Sequence, residues 1–144
     1  MARLLSVGEM VIDFLPGVNE EIYIRKAGGA PANVAIAVSR QGCESSFCGM
    51  MGDDDFGRFL YKTLLDNDVQ PVVTELTREA TTTMAFVSLD EHGDRSFTFA
   101  RKPGADMFLT KEHVRMPLWM GQRSSMPVPA LFLQVLQRKR PSMR

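Results

Sequence analysis

Along the first 115 or so residues, apolar and polar positions switch repeatedly between two periods. Arg3–Val7 is a short apolar run closed by Gly8 and predicts a strand. Val11–Leu15 is a second extended run, stopped by the turn signal Pro16-Gly17. Ile22–Ile24 places two β-branched residues around Tyr23 and predicts a third strand. The period then changes. Over Pro31–Arg40, Val34, Ala35 and Val38 share a helical face, and Gly42 follows as a stop. Ser46–Met50 predicts a buried strand. Asp53 to Asn67 is the clearest helix, with an acidic first turn and with Phe56, Phe59, Leu60 and Leu64 at helical spacing. Thr82–Leu89 and Arg95–Arg101 predict a β-hairpin around the polar link Asp90-Glu91-His92-Gly93-Asp94. Thr83, Ala85, Val87 and Leu89 share one face of its first strand, and Arg95, Phe97, Phe99 and Arg101 share one face of its second. The β-α-β order argues for an α/β sandwich.

Composition narrows the class. The chain has 144 residues, 44% hydrophobic and 24% charged, which is ordinary for one globular domain. No apolar run is long enough for a membrane-spanning helix. Met1-Ala2-Arg3 leads into a strand without a signal-peptide pattern, so a cytoplasmic location and no membrane partner are expected. The two cysteines, Cys43 and Cys48, fit neither a disulfide framework nor a four-ligand zinc site and read as reduced, buried thiols. His92 and His113 are isolated and expected at the surface.

The formal net charge of zero conceals an asymmetry. Residues 1–112 hold all 17 acids and 11 of the 17 Lys and Arg, a sum of −6; residues 113–144 hold the other six basic residues and no acid, a sum of +6. Four of the eight prolines fall in the last 28 residues. An acidic body argues against nucleic acid as a partner, because nucleic-acid binding needs a basic face.

Candidate chemistry concentrates at Gly28-Gly29-Ala30-Pro31-Ala32-Asn33. Adjacent glycines let a ligand approach the backbone. Pro31 suits the first turn of a helix. Asn33, one turn in, offers a donor and an acceptor. A corner of this kind holds a polyhydroxy ligand or an anion, or is simply a turn. Asp13 lies in the apolar run Met10-Val11-Ile12-Asp13-Phe14-Leu15, where an unpartnered carboxylate is costly. A carboxylate there can accept hydrogen bonds from two vicinal hydroxyls, or cap the turn at Pro16-Gly17. Arg101, at a strand end, can reach a ligand oxygen or stand solvated. Phe97 and Phe99 can close over a sugar ring or pack sheet against lid. Asp53-Asp54-Asp55 reads as an acidic helix start rather than a metal site, and no metal ligand set is assigned.

The order Gly-Gly-x-Pro-x-Asn-x-Ala from Gly28, then Gly42 and Gly52, resembles the N-terminal signature of the PfkB (ribokinase-like) family of sugar kinases. Gly8-Glu9-Met10-Val11-Ile12-Asp13 looks like its first strand with the sugar-binding Asp, and Gly52-Asp53-Asp54-Asp55-Phe56-Gly57 resembles its next helix entry. Thr82–Val87 and Phe99–Asp106 look most like the fructokinase branch, and the resemblance runs from about residue 3 to about residue 115. It implies a ribokinase-like three-layer α/β sandwich with a small β-sheet lid, truncated here, built by residues 1–116. The lid would comprise Val11–Leu15, Ile22–Ile24 and the hairpin. The implied reaction is transfer of the ATP γ-phosphoryl group to a primary hydroxyl of a sugar, fructose foremost, with Mg²⁺ screening the phosphates. Ribosides and 2-keto-3-deoxygluconate fit similar sites. The implied substrate-binding residues are Asp13, Gly28, Gly29, Asn33, Phe97 and Arg101, and a homodimer through the lid is a further expectation of the resemblance.

The family's catalytic Asp-Thr-x-Gly-Ala-Gly-Asp does not occur, nor does a Walker A Gly-x-x-x-x-Gly-Lys-Ser/Thr. Pro103-Gly104-Ala105-Asp106 is not that motif, since it directly follows the lid hairpin. The chain therefore looks like the sugar-binding N-terminal part, expected to bind neither ATP nor Mg²⁺ tightly and not to phosphorylate sugars alone. A cut after the lid is expected to leave strand faces such as that of Ser46–Met50 partly open. Residues 117–144 do not resemble the family. A shifted reading frame near residue 115 accounts for the lost acids and added prolines, and predicts early tryptic cleavage after Arg115, Arg123 or Arg138. A basic amphipathic segment is the other reading.

Overall fold

The computed structural model describes residues 3–19 and 21–114. The readings made for residues 117–144 lie outside the described residues. Strands and helices alternate as β1 (Arg3–Val7), β2 (Val11–Pro16), β3 (Tyr23–Gly28), α1 (Ala30–Arg40), β4 (Glu44–Cys48), α2 (Asp55–Asp66), β5 (Val69–Pro71), β6 (Met84–Leu89) and β7 (Arg95–Ala100), followed by a 3₁₀ turn over Ala105–Phe108.

Two sheets form. The first is parallel, in the order β1-β4-β5. Its strands are joined by right-sized crossovers, α1 leading into β4 and α2 into β5, as a parallel sheet requires. One face packs on both helices: Phe47, Val69, Ala32, Ala35, Leu60 and Leu64 are buried together. Ser6 and Ser45 on that face donate to the α1 carbonyls of Pro31 and Ala35, at 2.7 and 2.8 Å. The other face is covered as well. Cys48, Met50 and Val73 pack under Leu5, Val7, Phe108, Leu109 and Val114. The chain folds back over this face as far as Val114, while Leu5, Val7 and Ser46 on it stay half-buried. The Cys48 thiol, pushed up to about 11 by burial, behaves as a small hydrophobe, while Cys43 is only half-buried. His113 is also half-buried rather than exposed, its Nδ1 lying 3.0 Å from the Thr110 amide.

The second sheet, β3-β2-β6-β7, gathers the strands that the sequence assigned to a lid, and it keeps that name. β2 pairs antiparallel with β3 and parallel with β6, and β6 pairs antiparallel with β7. One lid face carries aromatic residues against α2. Phe14 stacks on Phe86 with ring centroids 4.9 Å apart and meets Phe56 edge-on at 5.7 Å. The Arg25 guanidinium lies 4.1 Å from the Phe59 ring centroid. Such contacts are individually worth about 0.5–1.5 kcal/mol and here fix the angle between lid and body.

The helix entries explain the glycine spacing. Gly29 is the N-cap of α1 at φ +103, and a Cβ there would meet the Glu9 carbonyl oxygen at 2.6 Å. Asp54 caps α2. Its carboxylate accepts from the Gly57 amide at 2.7 Å, the Thr82 amide at 2.7 Å and the Thr82 hydroxyl at 2.8 Å. Burial would raise its pKa, but these hydrogen bonds outweigh it and hold the carboxyl below its ordinary value. Asp53 pairs with Arg58 and Arg78 at 2.9 Å each, and Asp55 with Arg58 at 2.9 Å. The acidic triplet is thus occupied as a helix start.

Candidate sugar site

The lid face opposite the aromatic wedge opens on a cavity of about 240 Å³. Strand periodicity builds it. Val11 and Asp13 project from β2, and Thr83 and Ala85 from the entry and body of β6. Phe97 and Phe99 project from β7, with Arg101 just beyond its end. The register aligns them in rows: Asp13 lies opposite Ala85, and Ala85 opposite Phe99. Alanine at the middle of that row leaves the space that a larger side chain would fill. Gly29 and Glu9 complete the wall at the N-terminus of α1.

Asp13 is half-buried, and burial pushes its carboxyl above the ordinary value, with no hydrogen bond to it among the described residues. An acceptor so placed gains from any ligand hydroxyl that donates to it. Gly28 does not line the cavity, yet it makes room for this carboxylate. A Cβ at Gly28 would sit 2.0 Å from Asp13 Oδ2 and 2.5 Å from its Cγ.

Phe97 and Phe99 are 52% and 54% exposed and stack with centroids 6.1 Å apart. Large apolar rings left half-open over a cavity are available to the apolar face of a ligand. Arg101 is fixed from behind. Its Nε donates to Asp106 Oδ1 at 3.2 Å, and its terminal nitrogen pairs with Asp106 Oδ2. The Asp106 side chain is only 2% exposed and also accepts from the Thr83 hydroxyl. Gly104 leaves the space for this junction: a Cβ there would meet Thr83 Oγ1 at 1.8 Å and Arg101 Cγ at 2.9 Å.

Of the six substrate-binding residues read from the sequence, four, Asp13, Gly29, Phe97 and Arg101, line one cavity. Gly28 stands beside Asp13, and Asn33 is exposed on α1 outside the walls, its amide donating to the Gly29 carbonyl at 2.9 Å. Glu9, Val11, Thr83 and Ala85 are wall residues that sequence reasoning missed. The period-2 face of Asp13 contains Val11; Ala85 becomes visible only once β2 is paired with β6.

The comparisons agree with this architecture. Fructokinase-1 of Zea mays is 45% identical over 121 residues, covering 80% of this chain and 38% of its own length. The fructokinase of Solanum tuberosum is 44% identical with the same coverage. The chain thus spans under two-fifths of the length of these curated relatives. Among solved structures, the fructokinase of Xylella fastidiosa superposes with a TM-score of 0.70 at 44% identity, over 77% of this chain and 36% of its own. The fructokinase of Vibrio cholerae O395 in its fructose, ADP and calcium ion bound form gives 0.70 at 42% identity, over 78% and 36%. Among the described residues no helix is long and apolar enough to cross a membrane. Residues 1–120 match the model of the pfkB family of carbohydrate kinases, and the chain belongs to that family.

Proposed function

We propose that this chain supplies the sugar-binding half of a fructokinase-like active site, in which the whole enzyme transfers the γ-phosphoryl group of ATP to a primary hydroxyl of fructose. The observation that carries the reading is the half-buried Asp13 carboxylate, without a hydrogen-bond partner among the described residues, facing a small cavity beneath Phe97 and Phe99. A carboxylate, bare backbone at Gly29 and an apolar cover suit a polyhydroxy ring with one polar edge and one apolar face. Asn33, outside these walls, is assigned to the part of the ligand that projects past Gly29 toward α1, and Arg101 is a donor to a ring oxygen. The walls fit the phosphates of ATP poorly: Arg101, the cation among the lining residues, is already held by Asp106, and the Asp13 carboxylate faces the space. ATP and Mg²⁺ are assigned to the intact family enzyme and not to this chain. Its cytoplasmic location and a homodimer through the lid belong to the same reading.

Ligand-observed NMR on the 144-residue chain tests this. Fructose is expected to show saturation transfer that falls at least tenfold in apparent affinity with Asp13→Asn. The amide keeps the shape but loses the charge-assisted acceptor, worth about 1.5–3 kcal/mol. Equal signals from the parent and Asp13→Asn would sink the assignment.

A further inference from the structure

We infer that Asp106 is a specificity-determining residue, one that neutralises Arg101 from behind so that the cavity admits uncharged sugars and rejects those carrying a carboxylate or phosphate. The inference rests on the sugar-site reading and narrows its substrate class.

The charges of the walls decide it. Arg101 is the one cationic side chain lining the cavity, and Glu9 and Asp13 are its acids. An isolated arginine at a sugar site would be a receptor for an anionic group, because its planar fork matches carboxylate and phosphate oxygens. Here the side-on fork is taken and its charge is already paired. Asp106 holds Nε and one terminal nitrogen of Arg101, and the Asp106 side chain is only 2% exposed and tied by the Thr83 hydroxyl. Two of the five guanidinium N–H donors are thus spent within the protein, and the positive charge is compensated before any ligand arrives. With Arg101 and Asp106 cancelling, the Asp13 carboxylate sets the sign of the space. The α1 N-terminus at Gly29 offsets about half of that charge, and Lys26, the register partner of Asp13, is exposed and not a wall.

Nothing in the chemistry of a sugar kinase requires this arrangement. A carboxylate buried behind an arginine costs desolvation and returns little net stability when hydrophobic residues can fill the space. Its effect on the cavity is specific: removing the Asp106 charge converts the wall from closed to open toward anions without touching a ligand directly. Asp106 therefore acts as a positioning and charge-setting residue, and Gly104 and Thr83 hold it there.

The full chain is titrated by ligand-observed NMR with fructose, gluconate and 1-amino-1-deoxyfructose as neutral, anionic and cationic probes. The parent is expected to bind the cationic sugar at least threefold more tightly than fructose and to show no gluconate binding. Asp106→Asn is expected to gain gluconate affinity at least tenfold over the parent, while fructose affinity changes less than fivefold. Adding Arg101→Gln to Asp106→Asn should erase the gain, and Asp106→Glu should never show it. A merely structural Asp106 would lower all three affinities together and create none. Gluconate binding by the parent, or no gain in a folded Asp106→Asn, overturns the inference. If Asp106→Asn does not fold, the order of the three probes on the parent decides: fructose or gluconate bound more tightly than the amino sugar overturns it. Loss of fructose binding in the parent would instead defeat the sugar-site reading, and the gluconate gain in Asp106→Asn would still be read separately.

Discussion

Asp54→Ala is expected to lower the unfolding free energy by about 3 kcal/mol, a large share of the 5–15 kcal/mol typical of a domain. The carboxylate satisfies three donors at once: the Gly57 amide in the first turn of α2, and both the amide and hydroxyl of Thr82. Loss of an N-cap alone costs about 1 kcal/mol. Here the alanine also strands the Thr82 amide and hydroxyl at the entry to the lid, and hydrogen bonds to a charged group are each worth about 1.5–3 kcal/mol before non-additivity. Asp54→Asn keeps one acceptor oxygen and should lose about half as much. Urea denaturation at constant m-value is the measure, and a loss under about 1 kcal/mol for Asp54→Ala would show that lid and helix are coupled by other contacts. The pH dependence has a definite sign. The folded-state pKa of Asp54 is lowered, so its contribution is present above the ordinary carboxylate value and disappears as pH falls through the lowered one. Asp13 is raised, so it works the other way: its contribution is present in acid and is lost as pH rises through the raised value. Asp13→Asn should therefore leave neutral stability equal or higher while removing sugar binding.

Gly28→Ala should weaken fructose binding about 10- to 150-fold and leave thermal stability nearly unchanged. The added Cβ would come within 2.0 Å of Asp13 Oδ2, and what gives way is the end of a side chain rather than backbone. Asp13 then swings out of the cavity, taking with it hydrogen bonds worth about 1.5–3 kcal/mol. The strand itself tolerates alanine better than glycine. Calorimetry with fructose beside a thermal melt separates the two effects. Unaltered affinity would mean that the carboxylate does not grip the ligand; a collapse of the melt together with affinity would mean that Gly28 serves folding.

The lid hairpin was legible because alternation survives in it: Ala85 and Val87 face Phe99 and Phe97 in register, as their shared faces require. Helix α2 was legible from its apolar spacing and acidic start. β5 was not, since Val69–Pro71 is three residues long, with an exposed glutamine between buried neighbours and a proline at its end. β3 runs four residues beyond its expected end at Ile24 because Arg25 and Lys26 look like a loop in sequence. Arg25 belongs to a strand because its guanidinium finds the Phe59 ring, a partner that no local period reveals. The same limit hid Thr83 and Asp106 behind Arg101. Their junction depends on the turn at Lys102-Pro103 rather than on helical or strand spacing, whereas Asp13 was found because one acid in an apolar run stands out unaided.

The parallel pairing of β2 with β6 also sets a timetable. Ile12 pairs with Met84, 72 positions later in the chain. On a ribosome adding about 5–20 residues per second, β2 waits about 4–14 seconds for that neighbour, while β3 reaches its other side almost at once. During that interval Val11, Ile12, Phe14 and Leu15 lie along an uncovered edge, the kind that recruits other chains. Slow synthesis through the stretch between α2 and β6 would lengthen the exposure, so the yield of soluble protein should respond to codon choice there more than in the hairpin that follows.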